Sequence, residues 1–137
     1  MLLVSVVAAC GGSRNDSFTT RDLGDGVTIE VPASWKLEIN AETVRVTEDY
    51  PVRLARALNA DMAALRVSLD ETVKSCKGKA VSETLPTGAI VRGCGGKLHV
   101  TFPIDDKRAI ECIPMQSETG VLDPIADRVC RSLRKKG

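Results

Sequence analysis

Four cysteines, Cys76, Cys94, Cys112 and Cys130, and a single histidine, His99, carry the most reactive side chains in the body of the sequence. Thiols act as zinc ligands, as nucleophiles or as disulfide partners. A structural zinc site wants close pairs such as Cys-x-x-Cys, and none occurs. A catalytic thiol wants a neighbouring base, and nothing in the sequence sets His99 beside a cysteine. An even set of cysteines reads instead as two disulfides wherever the chain meets an oxidising compartment. Four cysteines allow three connectivities. Cys76–Cys94 with Cys112–Cys130 is favoured, because each bond then ties a helix to a nearby strand. Each closed loop holds just under 20 residues, worth about 3 kcal/mol in the chain-entropy description. The equal spacing carries no internal repeat, since the flanking residues differ. No metal site and no cofactor is expected.

The remaining candidates have simpler accounts than chemistry. His99 lies on the polar side of its strand and is expected at the surface. No Ser-His-Asp order, phosphate loop or His-carboxylate metal cluster can be assembled. Gly93, Gly95 and Gly96 flank Cys94, but a strand follows them where a nucleotide loop requires a helix, so a hairpin turn or bulge is expected. Asp105 and Asp106 sit beside Lys107 in a tight turn. Trp35 follows a strand-ending proline and is expected to plug the core, although an interaction anchor is the alternative.

The elements that must hold these residues follow from periodicity. Gly26–Val31 alternates as a strand and stops at Pro32. Lys36–Ile39 and the pair Val44, Val46 suggest two more. Asp49 and Pro51 look like a helix start, and Leu54, Leu58, Met62, Leu65, Leu69 and Val73 follow at helical spacing. Ser68 and Glu71 form a possible capping box, which leaves one long helix or two broken near Val67. A loop over 77–88 leads to strands at Ile90–Cys94, at the alternating Leu98, Val100, Phe102 and Ile104, and at Arg108–Met115, with Cys112 on the same face as Ile110. Asp123 caps and Pro124 opens a last helix, striped by Leu122, Ile125, Ala126, Val129, Cys130 and Leu133. The order implies an α+β fold, an antiparallel sheet packed by helices and stapled by disulfides.

Composition is that of a globular domain, with 43% hydrophobic, 27% charged and only 3% aromatic residues, so aliphatic side chains must fill the core. The formal net charge of +1 gives no long-range pull toward phosphate backbones. The basic run Arg131, Arg134, Lys135 and Lys136 reads as a solvated helix end. Nucleic acid is not an expected partner.

The first residues differ from the rest. Met1–Ala9 is apolar and too short for a permanent membrane helix, which needs about 20 residues. Val7-Ala8-Ala9-Cys10 resembles the lipobox of bacterial lipoproteins. The resemblance implies that residues 1–9 are a cleaved signal peptide, that Cys10 is lipidated, and that residues 10–22 tether a single domain over 23–137. Several acyl chains on one residue make membrane release negligible. No Lys or Arg precedes the apolar run, as it does in most export signals, which leads us to expect a start codon upstream of Met1. Gly11, where an inner-membrane sorting signal has Asp, implies the outer membrane by enterobacterial rules.

Val27-Thr-Ile-Glu-Val-Pro-Ala-Ser-Trp35 is similar to the opening of PsbP-like and DcrB-like proteins, and Ile125-Ala-Asp-Arg-Val-Cys-Arg-Ser-Leu133 resembles their final helix. The likeness spans most of 23–134 and implies a PsbP-like domain. Relatives of this kind act as assembly factors, chaperones or toxin-neutralising proteins. The expectation is a non-catalytic, lipid-anchored module at the cell envelope, facing the periplasm and binding a protein partner. The alternative is an envelope enzyme whose site includes His99, Asp105 or Glu111.

Overall fold

The computed structural model describes residues 17–137. Cys10, the apolar run before it and the start of the expected tether lie outside the described residues. The chain runs β1 (Phe18–Gly24), β2 (Val27–Pro32), β3 (Leu37–Ile39), β4 (Val44–Val46), β5 (Val52–Leu58), α1 (Asn59–Lys74), β6 (Ala80–Thr84), β7 (Ile90–Cys94), β8 (Lys97–Pro103), β9 (Arg108–Pro114), α2 (Pro124–Arg131) and β10 (Arg134–Lys135). All its strand pairs are antiparallel. A five-stranded sheet has the order β5-β9-β8-β7-β6, a three-stranded sheet the order β1-β2-β10, and β3 pairs with β4. This is the expected α+β architecture, with both expected disulfides, Cys76–Cys94 and Cys112–Cys130.

The main core lies on one face of the large sheet. Leu54, Val91, Leu98, Val100, Ile110 and Cys112 meet Leu23, Val27, Ile29 and Val31 of the small sheet and Ala126, Val129, Cys130 and Leu133 of the last helix. Each fully buried aliphatic side chain contributes about 1.5–3 kcal/mol, which is how a chain with few aromatics holds together. Trp35 is buried in this core and stacks on Tyr50 with ring centroids 4.7 Å apart. The other face of the large sheet is covered by α1 and has a much smaller buried cluster, Ala57, Met62 and Ala109.

Several expectations are corrected. Residues 18–22, read as tether, belong to β1. Leu23 is fully buried, and Asp25 and Gly26, at φ 55° and 76°, form a two-residue hairpin turn into β2. The polar residues of β1 are the solvent side of an edge strand. The helix expected from Asp49 begins only at Asn59. Residues 52–58 form β5, paired along their whole length with β9. Leu54 and Leu58 do sit four apart, but Leu58 is 48% exposed while Val52 and Leu54 are buried around an exposed Arg53. Period two wins because β9 has an open edge there. From Asn59 the helix runs unbroken through Val67, so Ser68 lies inside it and its carbonyl accepts from Thr72 Oγ1 at 2.9 Å. The loop expected over 77–88 contains β6, a mostly exposed edge strand. On α2, Ile125 is exposed and the buried stripe is Ala126, Val129 and Cys130.

The final helix itself forms as its residues dictate. Asp123 Oδ1 accepts from the amides of Ile125 at 2.8 Å and Ala126 at 3.0 Å. Of the basic C-terminal run only Arg131 lies at the helix end, in the last turn of α2. The chain leaves α2 after Arg131, and Arg134 and Lys135 pair with Thr28 and Val27. Ser132 completes that edge: its Oγ accepts from Glu30 N–H at 2.8 Å and donates to the Val129 carbonyl at 2.6 Å.

Two outcomes follow for stability in urea. Ser132→Ala leaves the Glu30 amide unpaired beyond the reach of β10 and is expected to lower unfolding free energy by about 1–3 kcal/mol. Replacing either cysteine pair by alanine is expected to remove about 3 kcal/mol. Cys112 and Cys130 are fully buried, so their loss adds a cavity term and is the larger of the two. Equal midpoints for the two double variants would contradict this placement of the core.

Candidate functional site

Strand alternation sends polar side chains to the face of the large sheet that α1 covers. Arg92 stands opposite His99, Ile90 opposite Thr101, and Thr101 opposite Glu111. His99 Nε2 donates to Glu111 Oε1 at 2.9 Å, with side chains 17% and 19% exposed. His99 is therefore half-buried and not at the open surface, because the polar side of its strand faces a helix. Arg92 Nη1 donates to Asp70 of α1 at 2.7 Å. Met62, Leu65 and Leu69 of α1 stand over Ile90, Arg92, Thr101 and Pro103 and line a half-open pocket of about 180 Å³. Arg92 Nε and Thr101 Oγ1 are shielded from solvent and have no hydrogen-bond partner, as is true of Arg56 Nε on β5.

Of the residues named for an enzyme, the fold joins His99 and Glu111 but not Asp105. Asp105 Oδ1 accepts from the Lys107 amide at 2.8 Å and its Oδ2 pairs with Arg108 at 2.9 Å, in the β8–β9 turn as expected. The His99–Glu111 pair has the form of a base and its orienting group. Among the described residues no hydroxyl or thiol is hydrogen-bonded to it, and the four cysteines are consumed in disulfides. A nucleophile of the Ser-His type is therefore lacking from this arrangement. No group of three or more His, Cys, Asp or Glu side chains suited to a metal ion occurs among the described residues. The glycines around Cys94 make a hairpin: Gly95 has φ 63°, and a Cβ on Gly93 would overlap the Lys97 carbonyl.

A second feature lies on the outside. After β9 the chain turns back through a bridge between Gln116 and Leu122. Met115, Val121 and Ile125 are left 39%, 62% and 43% exposed. Pro51, Met115, Val121, Leu122 and Pro124 line a shallow groove of about 290 Å³ there. The sequence reading assigned Ile125 to the core and missed the patch, because only the bridge brings Val121 back beside Met115. Arg128, one turn on from Ile125, lies over the Phe18 ring at 3.6 Å. The start of β1 thus sits against the same helix as the patch.

Comparison with protein-family models, with curated proteins and with solved structures finds no match to this chain. No helix among the described residues is long and apolar enough to cross a membrane.

Two surface carboxyls are held in their charged form by their neighbours. The Lys107 amide and then the Arg108 guanidinium hold Asp105 below the ordinary carboxylate value of 3.8. Lys136 and then the Gly24 amide do the same for Asp22. A lowered folded value means that their stabilisation is complete above the unfolded value and fades as pH falls through the folded one. Unfolding free energy is expected to be flat above about pH 5 and to decline below about pH 4. In the Asp22→Asn/Asp105→Asn variant the decline is expected to be shallower. Superimposable acid limbs of the two proteins would contradict these contacts.

Proposed function

We propose that this chain is a non-catalytic lipoprotein whose domain, PsbP-like in kind, binds a protein partner at the cell envelope. In this reading Cys10 carries the lipid and the domain faces the periplasm from the outer membrane. The patch of Met115, Val121 and Ile125 carries the proposal. Clustered exposed apolar side chains mark interaction surfaces, and methionine is enriched in them. The groove beside Met115 has room for one large apolar anchor residue of a partner, rimmed by Gln116, Ser117 and Asp123.

Placement on the anchor agrees. β1 begins at Phe18, so only residues 11–17 separate it from Cys10, a reach of at most about 29 Å. Phe18 sits under Arg128 on the helix that bears Ile125. A lipid on Cys10 would therefore keep the patch close to the membrane surface, where an envelope-bound partner is confined as well. Two oxidised cysteine pairs suit a compartment outside the cytoplasm.

Two experiments test the two halves of the proposal. Cys10→Ser is expected to move the protein from the membrane fraction to the soluble fraction of the envelope; unchanged membrane retention would overturn the anchor. A benzophenone side chain placed at Val121 in living cells is expected to give one protein adduct of fixed mass. The adduct should vanish with Met115→Ser/Ile125→Ser and be absent with the probe at exposed Val67. Lipid adducts alone, or equal labelling from Val67, would overturn the protein-binding reading.

A further inference from the structure

The two disulfides differ in access and in surroundings. Cys112 and Cys130 are fully buried in the aliphatic core. Cys76 and Cys94 are half-buried, where α1 ends and β7 turns into β8. Residues 77–79, which follow Cys76, are exposed. Positive charge gathers at the same place. Lys97 stands directly opposite Cys94 across the β7–β8 hairpin, so the two side chains share a sheet face. Lys79 lies beside them, its carbonyl accepting from the Gly95 amide at 2.8 Å. Lys74 closes α1 two residues before Cys76, and Lys77 follows directly after it. All four are exposed, and among the described residues the lysines that form salt bridges are Lys36 and Lys136 instead. Of the carboxylates in the last two turns of α1 and on β6, Asp70 pairs with Arg92 and Glu83 with Arg131, which leaves Glu71.

A partly exposed sulfur beside positive charge exchanges readily with thiols, because the departing thiolate is stabilised. We propose that Cys76–Cys94 is a reversible redox site for an external dithiol, and that its reduction frees the C-terminal half of α1 from the sheet while Cys112–Cys130 keeps the core closed. A thiolate of the dithiol attacks the sulfur of Cys76. The electron pair of the broken S–S bond leaves on Cys94, as a thiolate beside Lys97. The opposite direction of departure is disfavoured, because Cys76 lies at the negative end of the α1 dipole. The dithiol's second thiolate then attacks the dithiol's own sulfur in the mixed disulfide and expels Cys76. Two electrons and two protons pass from the dithiol, which ends as a disulfide, to the two cysteines, which end as thiols. Little then holds the end of the helix, since Leu69 and Val73 are only half-covered. The remaining polar tie, Asp70 to Arg92, is a largely exposed ion pair, and such pairs hold weakly. The site is independent of the lipid on Cys10 and of the patch at Met115.

The test uses the oxidised full chain, dithiothreitol as the dithiol, and iodoacetamide trapping without denaturant. Mass spectrometry is expected to show a species alkylated at Cys76 and Cys94 alone, formed at least about tenfold faster than any species alkylated at all four cysteines. In that species amide hydrogen exchange over residues 67–74 should accelerate about tenfold or more, while β8, β9 and α2 keep their protection. Oxidised glutathione, added to an untrapped sample, should restore the original exchange. Lys97→Gln should slow the reduction about threefold, and the distant Lys135→Gln should leave it unchanged. Simultaneous reduction of both disulfides, no reduction without denaturant, or unchanged exchange over 67–74 overturns the proposal. A rate untouched by Lys97→Gln overturns the departure through Cys94. The two disulfides are compared within the unaltered chain, so the main result does not depend on any variant folding.

Discussion

The far face of the large sheet is covered by a helix that packing alone holds poorly, and much of the molecule follows from that. Of the described side chains in α1 only Met62 is buried, while Leu65, Leu69 and Val73 are half-covered. A helix with so little buried area would detach readily in isolation. The bond from Cys76, just past its C-terminus, to Cys94 at the end of β7 fixes it to the sheet. The covalent link makes thin coverage sufficient, and thin coverage leaves the cavity. It also makes the fold dependent on oxidation, which connects the domain's stability to an oxidising compartment. The opposite face is different in kind. There Cys112–Cys130 lies inside a dense aliphatic core and reinforces packing that already exists.

A second constraint joins the two sheets. Arg56 on β5 has a side chain only 7% exposed, and its charge meets Asp25 of the β1–β2 turn at 3.0 Å. Its Nη2 also donates to the carbonyls of Leu23 at 2.6 Å and Asn40 at 2.8 Å. Arg108 reaches the other oxygen of Asp25 at 2.8 Å. Asp25 can present both oxygens because its backbone is in the left-handed region, which Asp tolerates better than most residues. Gly24 is held at φ 89°, and a Cβ there would sit 3.3 Å from Arg56 Nη2. A buried guanidinium stripped of Asp25 would be strongly destabilising, so the hairpin and the large sheet are fixed as one body by this pair.

What was legible in the sequence, and what was not, divides along physical lines. Leu98, Val100 and Phe102 alternate with polar neighbours, and Asp123-Pro124 announces a helix, so local rules alone place β8 and α2. The disulfide pairing was legible because each cysteine sits at an element end or on an apolar stripe. β1 and β6 were missed because edge strands are polar by necessity, and their residues read as tether and loop. For β1 a signal existed: Leu23, then Asp25-Gly26, then an alternating strand is the pattern of a hairpin. β5 failed for another reason. Leu54 and Leu58 satisfy a helical spacing and Val52 and Leu54 a strand spacing, and only the open edge of β9 decides between them. The contacts of His99 with Glu111 and of Arg92 with Asp70 depend on strand register and helix placement together, which no local pattern contains.

The two faces of the sheet therefore divide the work. One face is closed by shape complementarity among Val, Ile, Leu and a buried disulfide, and a close-packed interior has no room for a ligand. The other combines a stapled helix, a paired histidine and carboxylate, and an arginine whose Nε is buried without a partner. Local departures from complete packing and complete hydrogen bonding are tolerated where the remainder of the fold supplies the stability, and such places are where sites are found. The exposed patch at Met115 obeys the same logic from outside. Met115 and Val121 lie on the connection between β9 and α2, the two elements joined by Cys112–Cys130, and Ile125 lies in the first turn of α2. The bridge between Gln116 and Leu122 folds that connection back on itself, so the apolar side chains are held at the surface by the elements on either side.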